Sequence, residues 1–280
     1  MDMKKQKTHS QYQAADASAA WWRRLQEIAS YGHDVAPRGQ PTLELIQPTL
    51  RVDMTRPALV CPSRRPSFRF MAAEAFWILT GDDRVAGIEP YNKQIRQFSD
   101  DGVRFFGAYG PHVVKQLPYV VRSLGEDGDT RQAWLRIWQD NPPPTKDVPC
   151  TLMLGWSARE GRLHCHAYMR SSDIWLGIPY DVFNFSILSA YVLDQVNTFY
   201  GQNYGLGTLH LTAASSHLYK RNWDDAEKTL NACDAHPCQA MPDMWSLVVD
   251  SLRYASQQSS AFEPKSHASL WNFWEADYAT

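Results

Sequence analysis

The stretch from Tyr180 to Thr198 constrains this chain more than any other. It is almost wholly apolar, with Asn184, Asp194 and Gln195 inserted. It is too long for one strand and falls short of the roughly 18 uninterrupted apolar residues of a membrane span. A helix that is apolar on most sides has to be enclosed by other elements. A chain of 280 residues has the means to enclose it, since at this length roughly three quarters of the unfolded surface is buried on folding.

The surrounding segments alternate between helical and strand periodicity. Residues 1–18 are polar and aperiodic and are expected to form a mobile tail, leaving 19–280 as one domain. Trp21, Trp22, Leu25, Ile28 and Ala29 recur at helical spacing and predict a first helix over 19–31. Residues 42–52 read as strand pieces interrupted by Pro48. A helix over 67–79 presents Phe68, Met71, Ala72, Ala75, Phe76 and Leu79 on one face and closes at Gly81. Residues 130–138 look like a strand, and 150–156 and 163–169 like a hairpin linked through residues 158–161. A strand over 206–211 and an amphipathic helix over 222–230 follow. No repeat or linker divides the chain, so the expected fold is a single α+β domain.

Charge excludes one class of function. Lys plus Arg number 28 against 30 Asp plus Glu, a net charge of −2, so no broad basic field exists for a polyanion and any phosphate must be bound locally. Five cysteines lack framework spacing, and no signal-peptide pattern opens the chain, so a reducing cytoplasm is expected. Cys233-Asp-Ala-His236-Pro-Cys238 has no second ligand pair at finger spacing, and no metal site is assigned to it. The 11 Trp and 13 Tyr point to a well-packed core or stacking surfaces.

The chemistry concentrates around Asp147-Val-Pro-Cys150-Thr, where a proline fixes the backbone before a thiol. Alone, Cys150 reads as a small buried hydrophobe. Downstream, Arg170-Ser-Ser-Asp173-Ile-Trp-Leu-Gly177-Ile-Pro-Tyr-Asp181 gathers a guanidinium, hydroxyls and two carboxylates around a tight turn. His217-Leu-Tyr219 then adds two polar side chains that share one face of an extended strand.

Taken in order, Pro149-Cys150, Arg170-Ser-Ser-Asp173, Leu176-Gly177-Ile-Pro-Tyr and His217-Leu-Tyr219 resemble the signatures of the thymidylate synthase and pyrimidine hydroxymethylase family. Arg38-Gly, Arg64-Arg65, Glu74 through Gly81, Tyr109-Gly110 and Thr130-Arg131 extend the resemblance over residues 20–230. The resemblance implies a large mixed β-sheet packed with helices, one sheet face forming a homodimer interface. It implies a Cys150 thiolate that adds to C6 of a pyrimidine nucleotide, so that C5 attacks the methylene of 5,10-methylenetetrahydrofolate. Arg170, as the nearest cation by family position, is expected to favour that thiolate. Arg38, Arg170 and Ser171, with Arg131 from the partner subunit, are the implied phosphate contacts. Gln132 stands where the family usually has a second arginine. His217 and Tyr219 match residues that hold the sugar hydroxyl, Tyr109 falls among the nucleotide contacts, and Glu74 matches a buried proton-moving carboxylate. Asp173, Gly177 and Ile95 are the implied folate contacts. Arg64 and Arg65 read as solvated surface charges.

Three positions refine the expectation. Asp181 stands where synthases carry an asparagine that reads uracil. A carboxylate there accepts from the cytosine amine and shares a proton with N3, while facing uracil O4 acceptor to acceptor. Ile95 occupies the place of a shielding tryptophan, opening the reaction intermediate to water. Asn184, where synthases have serine, is a candidate for holding that water or a polar group satisfied in the core. Ser171 favours a deoxynucleotide. The reading is therefore a dCMP hydroxymethylase in a phage or bacterial cytosol, against CMP hydroxymethylase, a dUMP or dCMP methylase, or a non-catalytic nucleotide- or RNA-binding relative. A cysteine hydrolase using His164 or His166 as base is a further alternative.

Overall fold

Residues 14–235 are described by the computed structural model. In chain order the elements are α1 (Ala17–Tyr31), β1 (His33–Val35), β2 (Thr42–Ile46), β3 (Thr49–Asp53), α2 (Phe68–Leu79), α3 (Val85–Ile88) and α4 (Tyr109–Glu126). They continue with β4 (Trp134–Arg136), β5 (Thr151–Arg159), β6 (Arg162–Met169), β7 (Ser172–Asp173), α5 (Ile178–Tyr200), β8 (Gly205–Ala213), β9 (Ser215–Tyr219) and α6 (Trp223–Ala232). Among these residues no helix is long and apolar enough to cross a membrane.

The long apolar stretch is α5. Pro179 in its first turn presets the backbone, and Gly201 ends it in the left-handed region at φ 65°. Val182, Phe183, Phe185, Leu188, Val192 and Val196 along it are buried. It packs against α2 and α4 on one side and against β6 and β8 on the other. The enclosure inferred from its composition is therefore helical on one flank and sheet on the other.

That sheet has two hydrogen-bonded parts. A five-stranded part runs β3-β8-β6-β5-β4, and a four-stranded part runs β1-β2-β9-β7. The β6/β8 and β7/β9 pairs are parallel and the others antiparallel, so the sheet is mixed as expected. The two parts meet where three chains bend side by side: at Gln47–Pro48, at Ala214 and at Arg170–Ser171. Gln47 N–H donates to Ala214 O (3.0 Å), Ala214 N–H to Met169 O (2.8 Å) and Arg170 N–H to Cys150 O (2.8 Å). Cys150 ends this row, just before β5.

Alternation sorts the faces. Leu163, Cys165, Ala167 and Met169 of β6 are buried toward α5, while His164, His166 and Tyr168 point to the other face. There Trp134, His166 and His210 stack in a row, with centroids 6.1 and 5.4 Å apart. His164 Nδ1 accepts from Thr208 N–H, and Ser157 Oγ is bonded to His166 Nε2 at 2.9 Å. Both histidines are thus committed to this outer face, which removes the cysteine-hydrolase alternative.

Local signals account for most boundaries. Ser67 Oγ accepts from Phe70 N–H and starts α2 at Phe68. The hairpin turns at Glu160-Gly161, both with positive φ, a two-residue link shorter than the four residues expected. Asp16 caps α1, which begins at Ala17, and Ser18 Oγ accepts from Val60 N–H. Residues 16–18 thus join the folded part rather than the tail, and 1–13 lie outside the described residues. β4 is shorter than the 130–138 expectation, because Ile137 and Trp138 both donate to Leu152 O and break the ladder. α4 has no counterpart in the sequence reading. Pro118 lies inside it and costs about 3 kcal/mol in a helix interior. The buried stripe Val113, Leu117, Val120 and Leu124 offsets that cost.

Candidate active site

Cys150 is held from three directions. The Tyr109 hydroxyl oxygen, at the start of α4, accepts from Thr151 N–H (3.2 Å) and Thr151 Oγ1 (2.9 Å). This fixes the residue after the thiol and leaves the phenol proton free to donate. Asp147 Oδ2 accepts from Gly107 N–H at 2.7 Å, tying the segment before Cys150 to the loop that leads into Tyr109. A Cβ at Gly107 would lie 2.3 Å from Asp147 O, so glycine permits this approach. Arg170 donates to Pro149 O (3.0 Å) and Val148 O (2.8 Å) and brings Nη2 to 3.8 Å from the Cys150 sulfur.

The net effect on the thiol differs from the expectation. Burial pushes the Cys150 thiol up, Arg170 pulls it down, and Asp181, Asp147 and Asp173 push it up again. Arg170 spends its donors on backbone carbonyls, so one guanidinium does not outweigh enclosure and three carboxyls. Asp147 itself is raised to about 6, chiefly by burial. Asp147 stands three residues before the thiol in the sequence, but its pinning role shows only once Gly107 is brought against it.

α2 and α5 contribute polar groups linked to the thiol through Asp181, which acts on Cys150 and is itself acted on by Glu74. Glu74 sits in the middle of α2, not at its N-terminus. Burial raises its carboxyl to about 7, against the opposing bond from Asn184. Asn184 Nδ2 donates to Glu74 Oε2 at 2.7 Å. Asp181, one turn earlier on α5, is raised well above the usual carboxylate range by burial, then by Glu74 and Asp173. Tyr109 is raised by burial and by the charges of Asp181 and Cys150, so thiol, phenol and carboxyls share one electrostatic neighbourhood. A Cβ at Gly177 would meet Asp181 Oδ2 at 3.2 Å; its bare backbone leaves that carboxyl room.

Asp173 Oδ1 accepts from the Trp175 and Leu176 amides and shapes the turn into α5. It pairs in register with His217 across β7 and β9. His217 is buried, and burial lowers its pKa while Asp173 opposes the shift. Its ring meets Tyr219 edge-on at 4.9 Å. Ser171 is half-buried beside Arg170 at the bend. Arg38 lies exposed in the turn before β2, with φ 52°, at the end of the sheet where Thr42 pairs with Tyr219. Arg131 is exposed before the edge strand β4 and does not join the thiol within one chain. Ile95 is half-buried in a short helical turn against the core.

Arg64 is not a solvated charge. It donates twice to Trp175 O, at 3.0 and 2.6 Å, and stacks 5.0 Å over the Trp175 ring. The carbonyl left free by the turn at Asp173 demands a donor, and Arg64 supplies it. Arg65 is exposed as expected. Cys233 is exposed; His236 and Cys238 lie outside the described residues. Among the described residues no group of three His, Cys, Asp or Glu side chains could hold a metal ion.

Two comparisons with known proteins bear on the family. A deoxyuridylate hydroxymethyltransferase of Bacillus phage SP01 is 31% identical, over 70% of this chain and 55% of the relative. The chain thus spans little more than half of that curated relative's length. The family model described as thymidylate synthase matches residues 20–252, a span that holds Cys150, the row of strand bends and the acid wall of α2 and α5. The chain belongs to the thymidylate synthase family.

Proposed function

We propose that this protein hydroxymethylates C5 of a cytidylate nucleotide, dCMP in preference to CMP, with 5,10-methylenetetrahydrofolate as one-carbon donor and water as the final nucleophile. The observation that carries the reading is Asp181, enclosed beside Glu74 with its carboxyl pushed well up. A neutral carboxyl offers one donor and one acceptor, the complement of cytosine N3 and its amine. This changes the argument from sequence, because repulsion of uracil O4 requires an ionised carboxyl. The preference rests instead on acceptor strength: cytosine N3 is far more basic than a carbonyl oxygen, so the shared proton is held better and C6 becomes more electrophilic.

In this reading Cys150 adds to C6 as its proton departs, and Arg170 stabilises the developing thiolate. C5 then bonds the folate methylene, loses its proton, and expels tetrahydrofolate to leave an exocyclic methylene. Water adds to that carbon, and C5 returns the electron pair to expel Cys150. Glu74, poised near neutrality, moves protons during these steps. Arg38, Arg170, Ser171 and the partner subunit's Arg131 bind the phosphate, His217 and Tyr219 the sugar, and Asp173, Gly177 and Ile95 the folate. A homodimer through the outer sheet face is part of the proposal. Met153 and Tyr168 are 40% and 43% exposed there, and no described element covers them.

A second reading, dUMP as substrate, draws on the printed activity of the phage relative. Initial rates of C5 tritium release from dCMP, CMP and dUMP with methylenetetrahydrofolate decide between them. dCMP should give the highest kcat/KM, and Cys150→Ala should reduce release to background. A higher kcat/KM for dUMP would transfer the assignment to uracil.

A further inference from the structure

We propose that Asn184 is the positioning residue for the water that completes the reaction, accepting a hydrogen bond from it through Oδ1 while Nδ2 keeps the Glu74 carboxylate turned toward it. The inference rests on the cytidylate hydroxymethylation reading above and adds the residue that makes the last step hydration.

Asn184 is 6% exposed. Its Nδ2 is committed to Glu74 Oε2 at 2.7 Å, and its Oδ1 is buried without a hydrogen-bond partner. With Glu74 ionised, as the water step requires, it can only accept, so the amide nitrogen faces Glu74 and the oxygen is left for another donor. A buried acceptor left unmade costs about 1–3 kcal/mol, and α5 had apolar alternatives at this position. The neighbouring polar groups of the helix follow a different pattern: Ser186 and Ser189, also buried, satisfy themselves on the carbonyls of Val182 and Phe185. Of these three, only Asn184 has a buried polar atom with no hydrogen-bond partner at all, and its other end holds the one carboxyl of α2.

Asp181, one turn earlier, occupies the base-reading position, and Glu74 raises its pKa electrostatically. A donor reaching Asn184 Oδ1 therefore lies beside Glu74 and on the same helix face as the group that holds the pyrimidine. A water there gives one hydrogen to Asn184 and presents the other to Glu74. As its oxygen bonds to the exocyclic methylene, the methylene π pair moves to C5 and the proton passes to Glu74. C5 then re-forms its double bond to C6 as the Cys150 sulfur leaves with its electron pair. No external oxidant or reductant is consumed.

The test separates C5 tritium release, which precedes hydration, from formation of 5-hydroxymethyl-dCMP. In the full-length protein the two should match one to one. In Asn184→Ser, product formation should fall at least about tenfold more than tritium release, the effect of one lost buried hydrogen bond. The surplus should be trapped by an added thiol as a 5-thioalkylmethyl nucleotide. The pH limb set by Glu74, whose carboxyl is raised to about 7, should also move upward, since the carboxylate loses its donor. If the serine variant does not fold, Asn184→Ala is read by the same ratio and the same limb. Release and product falling in parallel, with the limb unmoved, would overturn the role of Asn184 while leaving the underlying reaction intact. A 5-methyl product with dihydrofolate from the wild type would overturn both.

Discussion

Carboxyl groups in two regions of this molecule are shifted in opposite directions. At the surface, Asp82 is pushed up by partial burial, but the Arg84 guanidinium and the Arg84 and Asp83 amides outweigh that and hold it low. Asp101 is held low by the Arg104 and Val103 amides. These groups fix the loops between α2 and α4 as permanent anions. In the interior, Glu74 and Asp181 are raised by enclosure, and neither is among the ion pairs of the described residues. A surface carboxyl held by a guanidinium and amides stays charged, whereas enclosure without a cation favours the protonated form and, at Glu74, brings the carboxyl to about 7, where it can exchange its proton.

The largest expected effect comes from making an interior group unable to titrate. Glu74→Gln should lower kcat with dCMP by about 10²–10⁴-fold, the usual range for a lost acid–base group. It should also stabilise the fold at high pH. The folded-state value, about 7, lies above the reference 4.5, so the native chain holds the proton more tightly than the unfolded one. That stability is fully present below about 4.5 and is lost as pH rises through about 7. At pH 8 the cost is on the order of 3 kcal/mol. Thermal denaturation of Glu74→Gln should therefore show Tm raised by several degrees at pH 8 and little changed at pH 4. An equal Tm at both would show that Glu74 is not enclosed as described.

Asp181→Asn sharpens the comparison by keeping shape and removing only the exchangeable proton. kcat/KM should swing from dCMP toward dUMP by about 10–100-fold, the mispairing of one or two buried polar groups. An unchanged ratio would mean that another group reads the base. The smallest effect belongs to the surface. Asp82→Asn should cost about 1 kcal/mol or less in urea denaturation, because solvent screens the pair with Arg84. Activity there should stay within about twofold. A larger loss would erase the distinction between the two regions.

Much of this was legible in the sequence. Apolar periodicity located α1 and α2, a nearly continuous apolar run located α5, and the ordered motifs named Cys150, Arg170, Asp181 and His217 as site candidates before any geometry. What escaped was set by distant contacts. α4 carries Pro118, a local signal against helix, and only its packing on α5 reveals why it forms. Arg64 looks like surface charge until the turn at Asp173 leaves the Trp175 carbonyl needing a donor. The protonation of Cys150 and Asp181 depends on enclosure by α2, α4 and α5 together, which motif spacing does not encode. Some of the tryptophans are likewise explained only by distant contacts: Trp21 donates to Ile174 O and stacks 5.9 Å from Trp175, while Trp156 donates to Ser189.

In the proposed reaction Glu74 and Asn184 deliver water, not hydride, to the transferred carbon. Incubation with dCMP and methylenetetrahydrofolate in oxygen-labelled water, read by mass spectrometry, tests it most directly. The expected product is 5-hydroxymethyl-dCMP carrying the label, with tetrahydrofolate as the only folate product. A 5-methyl nucleotide without label, formed with dihydrofolate, would contradict it.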